Sequence, residues 1–259
     1  MSSNRIRVLL VSLLAVFAVS AVASSSASAA LKWETCEKVA AGTGKFTNGK
    51  CTTEGAPNEF EWDKLEAGES EPLTSSGGTF KLEASGVTVT CTAVADKGEL
   101  KGGSPGTDTA TEILFTGCTT NKEHCKVKSA KGKQKAGEVL VTPNTPSELA
   151  LEGTKVVDVF KGTHGAGSNE FVTLEFGETE KVVGVPPNDV HTLEKGGCAL
   201  ANTAQVTGNV AAEVVGEELH FPSPAFTLST LKVFGLGAKL VGNDTQKLTS
   251  GLTFRATSP

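Results

Sequence analysis

The chain has 259 residues, with 24 lysines and arginines against 29 aspartates and glutamates, which gives a formal net charge of −5. A mildly acidic chain that also lacks tyrosine does not have the basic, aromatic surface of a general nucleic-acid binder. Its length is enough for one large domain or two small ones with a hydrophobic core that can stand alone.

The N-terminus has the pattern of an export signal. Arg5 and Arg7 precede an apolar run from Val8 to Val22, and the small residues that follow end in Ala27-Ser28-Ala29. These features predict a signal peptide over residues 1–29, cleaved after Ala29 or one residue later. The run of about 15 residues is shorter than the roughly 20 that a spanning helix needs. We therefore expect a secreted protein, extracellular or loosely wall-associated, without a membrane anchor after cleavage.

All six cysteines follow the predicted cleavage site. An even number in an exported chain predicts disulfide bonds, although six cysteines allow 15 pairings. Local spacing favours Cys36–Cys51 and Cys118–Cys125, which leaves Cys91–Cys198. The alternative, a zinc site, would need C-x-x-C pairs or clustered histidines, and the sequence has neither. We predict three disulfides and no metal or other cofactor.

Residues 30–72 show no sustained hydrophobic period. Trp33, Phe46 and Trp62 are separated by Gly, Thr, Asn and Lys, and only the alternation at 60–62 suggests a short strand. This segment is predicted to be a small cap closed by a disulfide, with its tryptophans packed on a core. The remainder, 73–259, is predicted to be one antiparallel β domain.

From Thr79 onward the sequence alternates apolar and polar residues, as half-buried strands do. Residues 146–152 suit either a short helix or a strand. Many short strands with almost no helix indicate an antiparallel sandwich or barrel, and we assign the fold class as a β-sandwich or jelly-roll-like fold. The predicted strands are 80–84, 87–91, 98–100, 111–115, 137–141, 155–160, 170–176, 181–185, 205–215, 225–231 and 247–255.

Several short motifs, each containing a cysteine, are shared with a group of known proteins. They are Trp33-x-x-Cys36 with Cys51, the segment 86–91 ending in Cys91, the segment 113–118 with Cys125, and Gly196-Gly197-Cys198. With these motifs the chain resembles a group of uncharacterised secreted proteins from high-GC Gram-positive soil bacteria, mainly over residues 33–141. The resemblance implies secretion and disulfides, and it implies no activity.

Positive charge is concentrated in residues 121–135, which hold six lysines and one glutamate. In an extended strand, side chains two residues apart share a face. A row of ammonium groups on one face predicts contact with a polyanion such as teichoic acid or an acidic glycan. The alternative is a solvated hairpin whose lysines protect an edge strand. The predicted contact residues are Lys126, Lys128, Lys131, Lys133 and Lys135.

No catalytic motif is evident. His164 and Ser168 lie close together in a glycine-rich segment, but the chain has no G-x-S-x-G sequence and no visible third member of a triad. Asn188-Asp189 and Asn243-Asp244 fit Asx turns better than a calcium loop. We therefore predict a non-enzymatic structural or binding module, with a cell-wall polyanion or glycan as partner. The alternative is a glycan-directed hydrolase, which would show a cleft lined by paired carboxylates.

Overall fold

We describe the protein from a computed structural model that covers residues 31–130, 132–141, 144–164, 169–222 and 224–257. The predicted signal peptide lies outside these residues. The covered residues contain no helix of the length and apolarity needed to cross a membrane. Their regular structure consists of 21 β-strands: β1 (Lys32–Lys38), β2 (Phe60–Lys64), β3 (Ser70–Gly77), β4 (Phe80–Ala84), β5 (Val87–Cys91), β6 (Ala93–Lys101), β7 (Thr107–Thr116), β8 (Thr119–Thr120), β9 (Lys126–Ser129), β10 (Val139–Val141), β11 (Thr145–Glu152), β12 (Lys155–Lys161), β13 (Glu170–Gly177), β14 (Thr179–Val183), β15 (Val190–Glu194), β16 (Thr203–Thr207), β17 (Asn209–Val215), β18 (Glu218–Phe221), β19 (Lys232–Val233), β20 (Leu236–Leu248) and β21 (Phe254–Thr257).

Eight of these strands form a closed antiparallel barrel in the order β18-β17-β12-β11-β7-β6-β3-β20. The barrel closes because β20 pairs with β3 along one edge and with β18 along the other. The mainly β prediction is confirmed, but the architecture is a barrel with additional strands rather than a clear sandwich or jelly roll. Period-two alternation is the same in a sandwich and a barrel, and only the β18–β20 pairing closes this sheet.

A second layer of strands extends from one end of the barrel. β20 is 13 residues long, and its first half leaves the barrel to pair with β4 and β19. From there the sheet continues through β16 and β13 to β9, while β4 continues to β5 and β8. A single large hydrophobic cluster lines this layer and the adjoining end of the barrel interior.

The opposite end of the barrel is covered by a three-stranded sheet in the order β2-β1-β21. Its central strand carries Trp33, which is fully buried against Phe254 with ring centroids 5.8 Å apart. The Trp33 indole Nε1 donates to the carbonyl oxygen of Thr107 at 3.0 Å. Residues 30–72 thus contain a strand, β1, that the irregular sequence did not reveal, and its partner β21 comes from the far end of the chain. The predicted domain boundaries at 29 and 72 stay predictions.

The chain forms three disulfides, as predicted, but only Cys36–Cys51 has the predicted pairing. The pairings Cys118–Cys125 and Cys91–Cys198 are wrong, because Cys91 bonds to Cys118 and Cys125 bonds to Cys198. Strand pairing explains the first difference: Thr92 N donates to Thr116 O at 3.0 Å, which places the end of β5 beside the end of β7. Distance along the chain is a poor guide to partners in a sheet with crossovers.

Other strand predictions were wrong where loops intervene. Residues 205–215 form two strands separated by Gly208, whose φ of +102° strongly favours glycine. Residues 225–231 are turns and coil in which Phe226 and Leu228 cover an outer apolar cluster on the barrel. The ambiguous segment 146–152 lies within strand β11.

Candidate ligand site inside the barrel

The barrel interior contains a ring of polar residues, which we call the carboxylate belt. It separates the apolar core beneath Trp33 from the larger apolar core at the other end. On β3, for example, inward-facing Leu73 belongs to the first core and the next inward residue is Ser75. On β20 the inward sequence runs from Leu248 through two polar residues toward Leu240 of the second core. The belt consists of Ser75, Asp96, Asp108, Ser147, Asp158, Asp244 and Gln246.

Strand geometry forces these polar side chains inward. Asp158 lies in the run Val156–Phe160, where side chains alternate between the two faces of β12. Val156 and Phe160 pack with the two interior cores, so Asp158 between them also points inside. Its strand partners in register are Leu149 and Ala212, neither of which can accept or donate through its side chain. An aspartate inside such an apolar run is a signal for this site that the sequence analysis missed.

One half of the belt is the pair Asp108 and Asp158. The Ser147 hydroxyl donates to Oδ1 of Asp108, and these residues are opposite each other in the β11–β7 register. Both oxygens of Asp158 are buried without a hydrogen bond of good geometry among the described residues, and burial raises the pKa of Asp158 to about 6 against the lowering effects of Asp108, Ser147 and the Val159 N–H. Burial and the neighbouring charge of Asp158 raise the pKa of Asp108 well above its ordinary value. A neutral Asp108 carboxyl can then donate its proton to Asp158, so the two groups share one proton.

The other half of the belt is the pair Asp96 and Asp244. The Ser75 hydroxyl lies between their strands and donates to Oδ2 of Asp244. The Oδ1 atoms of Asp96 and Asp244 are both buried and have no partner among the described residues. Burial, together with the nearby charges of Asp244 and Asp108, raises the pKa of Asp96 to about 7 against the lowering effect of the Ser75 hydroxyl. Burial also raises the pKa of Asp244.

A cavity of about 120 Å³ lies beside this second pair. Its wall is almost entirely aliphatic and aromatic, and it includes Phe80, Phe160 and Phe221. The polar side chains in the wall are those of Asp96, Thr145 and Asp244. The cavity is therefore apolar over most of its surface and carries two carboxyl groups. An engineered apolar cavity of about 150 Å³ can bind benzene, so this space is suited to a compact molecule.

Among the described residues, the carboxylate belt does not have the side-chain arrangement of a metal site. Within the described ranges, no three His, Cys, Asp or Glu side chains are arranged to hold a metal ion. Asp244, assigned to an Asx turn from the sequence, is instead a buried residue in the middle of β20. Asp189, in the other such turn, lies with Oδ2 3.1 Å from Nε2 of His191.

The structure does not gather the predicted polyanion residues on one face. Lys128 is fully buried, with its Nζ 3.1 Å from Oε2 of Glu175. Lys133 donates to the carbonyl oxygen of Pro187, while Lys126 and Lys135 are exposed. Lys131 lies outside the described residues. The segment is thus divided between a buried ion pair and separate surface positions.

The remaining sequence candidates occupy ordinary positions. His164 forms an isolated bridge with Glu170, and Ser168 lies outside the described residues. Trp62 is half-buried beneath the Arg255 guanidinium, whose carbon is 4.3 Å from the ring centroid. With Trp33 buried, the two tryptophans do not form an open stacking platform for a sugar.

Comparison with protein-family models, with curated proteins and with solved structures finds no match for this chain. We therefore infer the function from the geometry of the barrel interior.

Proposed function

We propose that this protein is a non-enzymatic extracellular binding module, and that the cavity between the end of its barrel and the second layer of strands is the ligand site. The observation that carries this proposal is the cavity of about 120 Å³, which no side chain fills. Side chains that line an unfilled space lose dispersion contacts, and a ligand of matching shape restores them. The extracellular setting is supported by three disulfides and by the signal pattern of residues 1–29.

The burial of the carboxyl groups favours a binding module over a glycan hydrolase. Glycosidases hold two carboxyls about 5–10 Å apart on either side of a bound sugar, in a site that the sugar can enter. Here Asp108 and Asp158 are 4% and 0% exposed, and both lie inside the closed barrel. The geometry supports occupancy by a small molecule rather than cleavage of a polysaccharide.

The proposal is tested by titrating the protein with benzene and following the methyl groups of valines and leucines by NMR. We expect saturable shifts at methyls that line the cavity, such as those of Val141 and Val210, with none at Val157 on the barrel exterior. The variant V141M should weaken benzene binding at least tenfold, because a flexible methionine extends into the cavity.

The matched control is V159M. Val159 is also a buried barrel valine, but it belongs to the outer apolar cluster rather than the cavity wall. It should leave benzene affinity within about twofold of the original protein. Absence of saturable shifts at cavity methyls in the unmodified protein would overturn the proposal.

A further inference from the structure

The cavity has two carboxyl groups on an otherwise apolar wall, and this combination indicates the chemical class of its ligand. We infer that it binds a small primary alkylammonium ion, whose N–H groups donate to Oδ1 of Asp96 and Oδ1 of Asp244 while its alkyl chain occupies the apolar part. This inference rests on the proposed function, because it names the ligand of the same cavity.

Hydrogen-bond accounting supports a ligand that donates. An ionised carboxylate accepts hydrogen bonds and donates none, and the Ser75 hydroxyl is already committed to Oδ2 of Asp244. The two Oδ1 atoms are buried without partners among the described residues. A buried acceptor left without a donor costs about 1–3 kcal/mol, and more when it is charged. A primary ammonium carries three N–H donors on one atom and can satisfy both oxygens.

The charge of the site also favours a cation. Among the described residues, neither Asp96 nor Asp244 forms an ion pair with a lysine, arginine or histidine. The charged groups that act on Asp96 are other aspartates, Asp244 and Asp108. Asp244 is 5% exposed, so water cannot readily compensate its charge. A bound ammonium ion would supply the positive charge that the protein itself does not bring to this pair.

Because the carboxyl groups are buried, a bound cation can take the place of a carboxyl proton near neutral pH. Burial raises the pKa of Asp96 to about 7, so a modest favourable interaction is enough to ionise it. A neutral alcohol can hydrogen-bond to the protonated carboxyl without ionising it, whereas an ammonium ion requires the carboxylate, with which it forms a charge-assisted hydrogen bond and an ion pair. A cation should therefore bind with release of a proton.

The volume sets the length of the alkyl chain. The space of about 120 Å³ is comparable to, though somewhat smaller than, the engineered cavity of about 150 Å³ that binds benzene. Benzene has six heavy atoms, so a ligand of five or six heavy atoms matches this volume. n-Butylammonium has five heavy atoms in a flexible chain, and its apolar part can contact Phe80, Val141 or Leu240 in the wall. Ammonium itself has no apolar part, and guanidinium is a rigid plane that would leave donors against hydrocarbon.

The test is isothermal titration at pH 6.5, where most of Asp96 is protonated, with n-butylammonium chloride, 1-butanol and ammonium chloride at constant ionic strength and benzene as the reference ligand. We expect n-butylammonium to bind at least tenfold more tightly than 1-butanol and than ammonium. Heats measured in two buffers of different ionisation enthalpy should show proton release with n-butylammonium and none with 1-butanol.

The variant D244N should weaken n-butylammonium at least tenfold more than it weakens benzene, and its circular dichroism spectrum shows whether the variant is folded. The matched control is D63N at an exposed carboxylate, which should leave both affinities unchanged. Equal affinity for n-butylammonium and 1-butanol, or an unchanged affinity in D244N, would overturn the inference while benzene binding left the proposed function intact. Failure of benzene and n-butylammonium alike would overturn both.

Discussion

The two ends of the barrel are built on the same strands but differ in how they are filled. At one end the largest core side chains are fully buried: Leu31, Trp33, Leu100, Leu149 and Phe254. At the other end a larger apolar cluster surrounds an unfilled cavity, and the carboxylate belt lies between the two. Close packing maximises stability, whereas unfilled volume and unpaired polar atoms reduce it and are a common feature of binding sites. We therefore attribute stability mainly to the end beneath Trp33, and we propose ligand binding at the hollow end.

The largest effect is expected from truncation at the filled end. Trp33→Ala should lower the free energy of unfolding by about 4–5 kcal/mol, because it removes a fully buried indole and leaves the Thr107 carbonyl without its donor. Trp62→Ala, at a half-buried position of the neighbouring strand, should cost about 1 kcal/mol. Urea denaturation followed by circular dichroism measures both. Equal losses would contradict the assignment of Trp33 to the main stabilising core.

The disulfides at the two ends should differ in how much each contributes to the free energy of unfolding. Replacing Cys125 and Cys198 by alanine opens a loop of 73 residues and should cost about 4 kcal/mol in the chain-entropy account. Replacing Cys36 and Cys51, 15 residues apart, should cost about 3 kcal/mol. Non-reducing peptide mapping should link Cys125 to Cys198, and thermal unfolding ranks the two variants. Recovery of a Cys118–Cys125 peptide would contradict the structure.

The belt should make stability depend on pH. The folded-state pKa of Asp96 is about 7, against about 4 in an unfolded chain, so the folded state holds the extra proton between these values. Stability is therefore greatest below this window and falls as pH rises through it, by about 2 kcal/mol between pH 5 and 7.5. The lowered pKa of Glu180, held by the Ala136 N–H and His191, affects only lower pH.

Urea midpoints across this range measure the effect, and Asp96→Asn should make the profile shallower, because an amide does not titrate while the other belt aspartates still do. A stability that rises from pH 5 to 7.5, or a profile unchanged in Asp96→Asn, would contradict a neutral belt.

The smallest effect is expected from filling the hollow end. Val141→Met places extra volume in the cavity and should change the free energy of unfolding by less than about 1 kcal/mol in either direction. Val159→Met adds the same volume where Phe226 and Leu228 already pack, and should destabilise by about 1–2 kcal/mol. Thermal denaturation compares the two. A larger loss for Val141→Met would indicate that the cavity is already filled.

Local sequence patterns predicted much of the fold. Strands β4 and β5 were predicted with their observed bounds, because alternation with a glycine turn between them is a local property. Strand β1 was missed, since its residues are buried on both faces and do not alternate. The carboxylate belt was missed for a different reason: apart from Asp158, whose apolar run is a local signal, its aspartates are ordinary strand residues until β6, β7, β12 and β20 bring them together.

By itself, the sequence determined the β class, the short turns, the number of cysteines and the alternation that sends Asp158 to the same face as Val156 and Phe160. These are consequences of composition and of the two-residue period of a strand. Only the tertiary structure decided the closure of the sheet through β18 and β20, two of the three disulfide pairings, and the meeting of four aspartates, two of which line a cavity. Each of these depends on contacts between residues far apart in the chain, which no local period encodes.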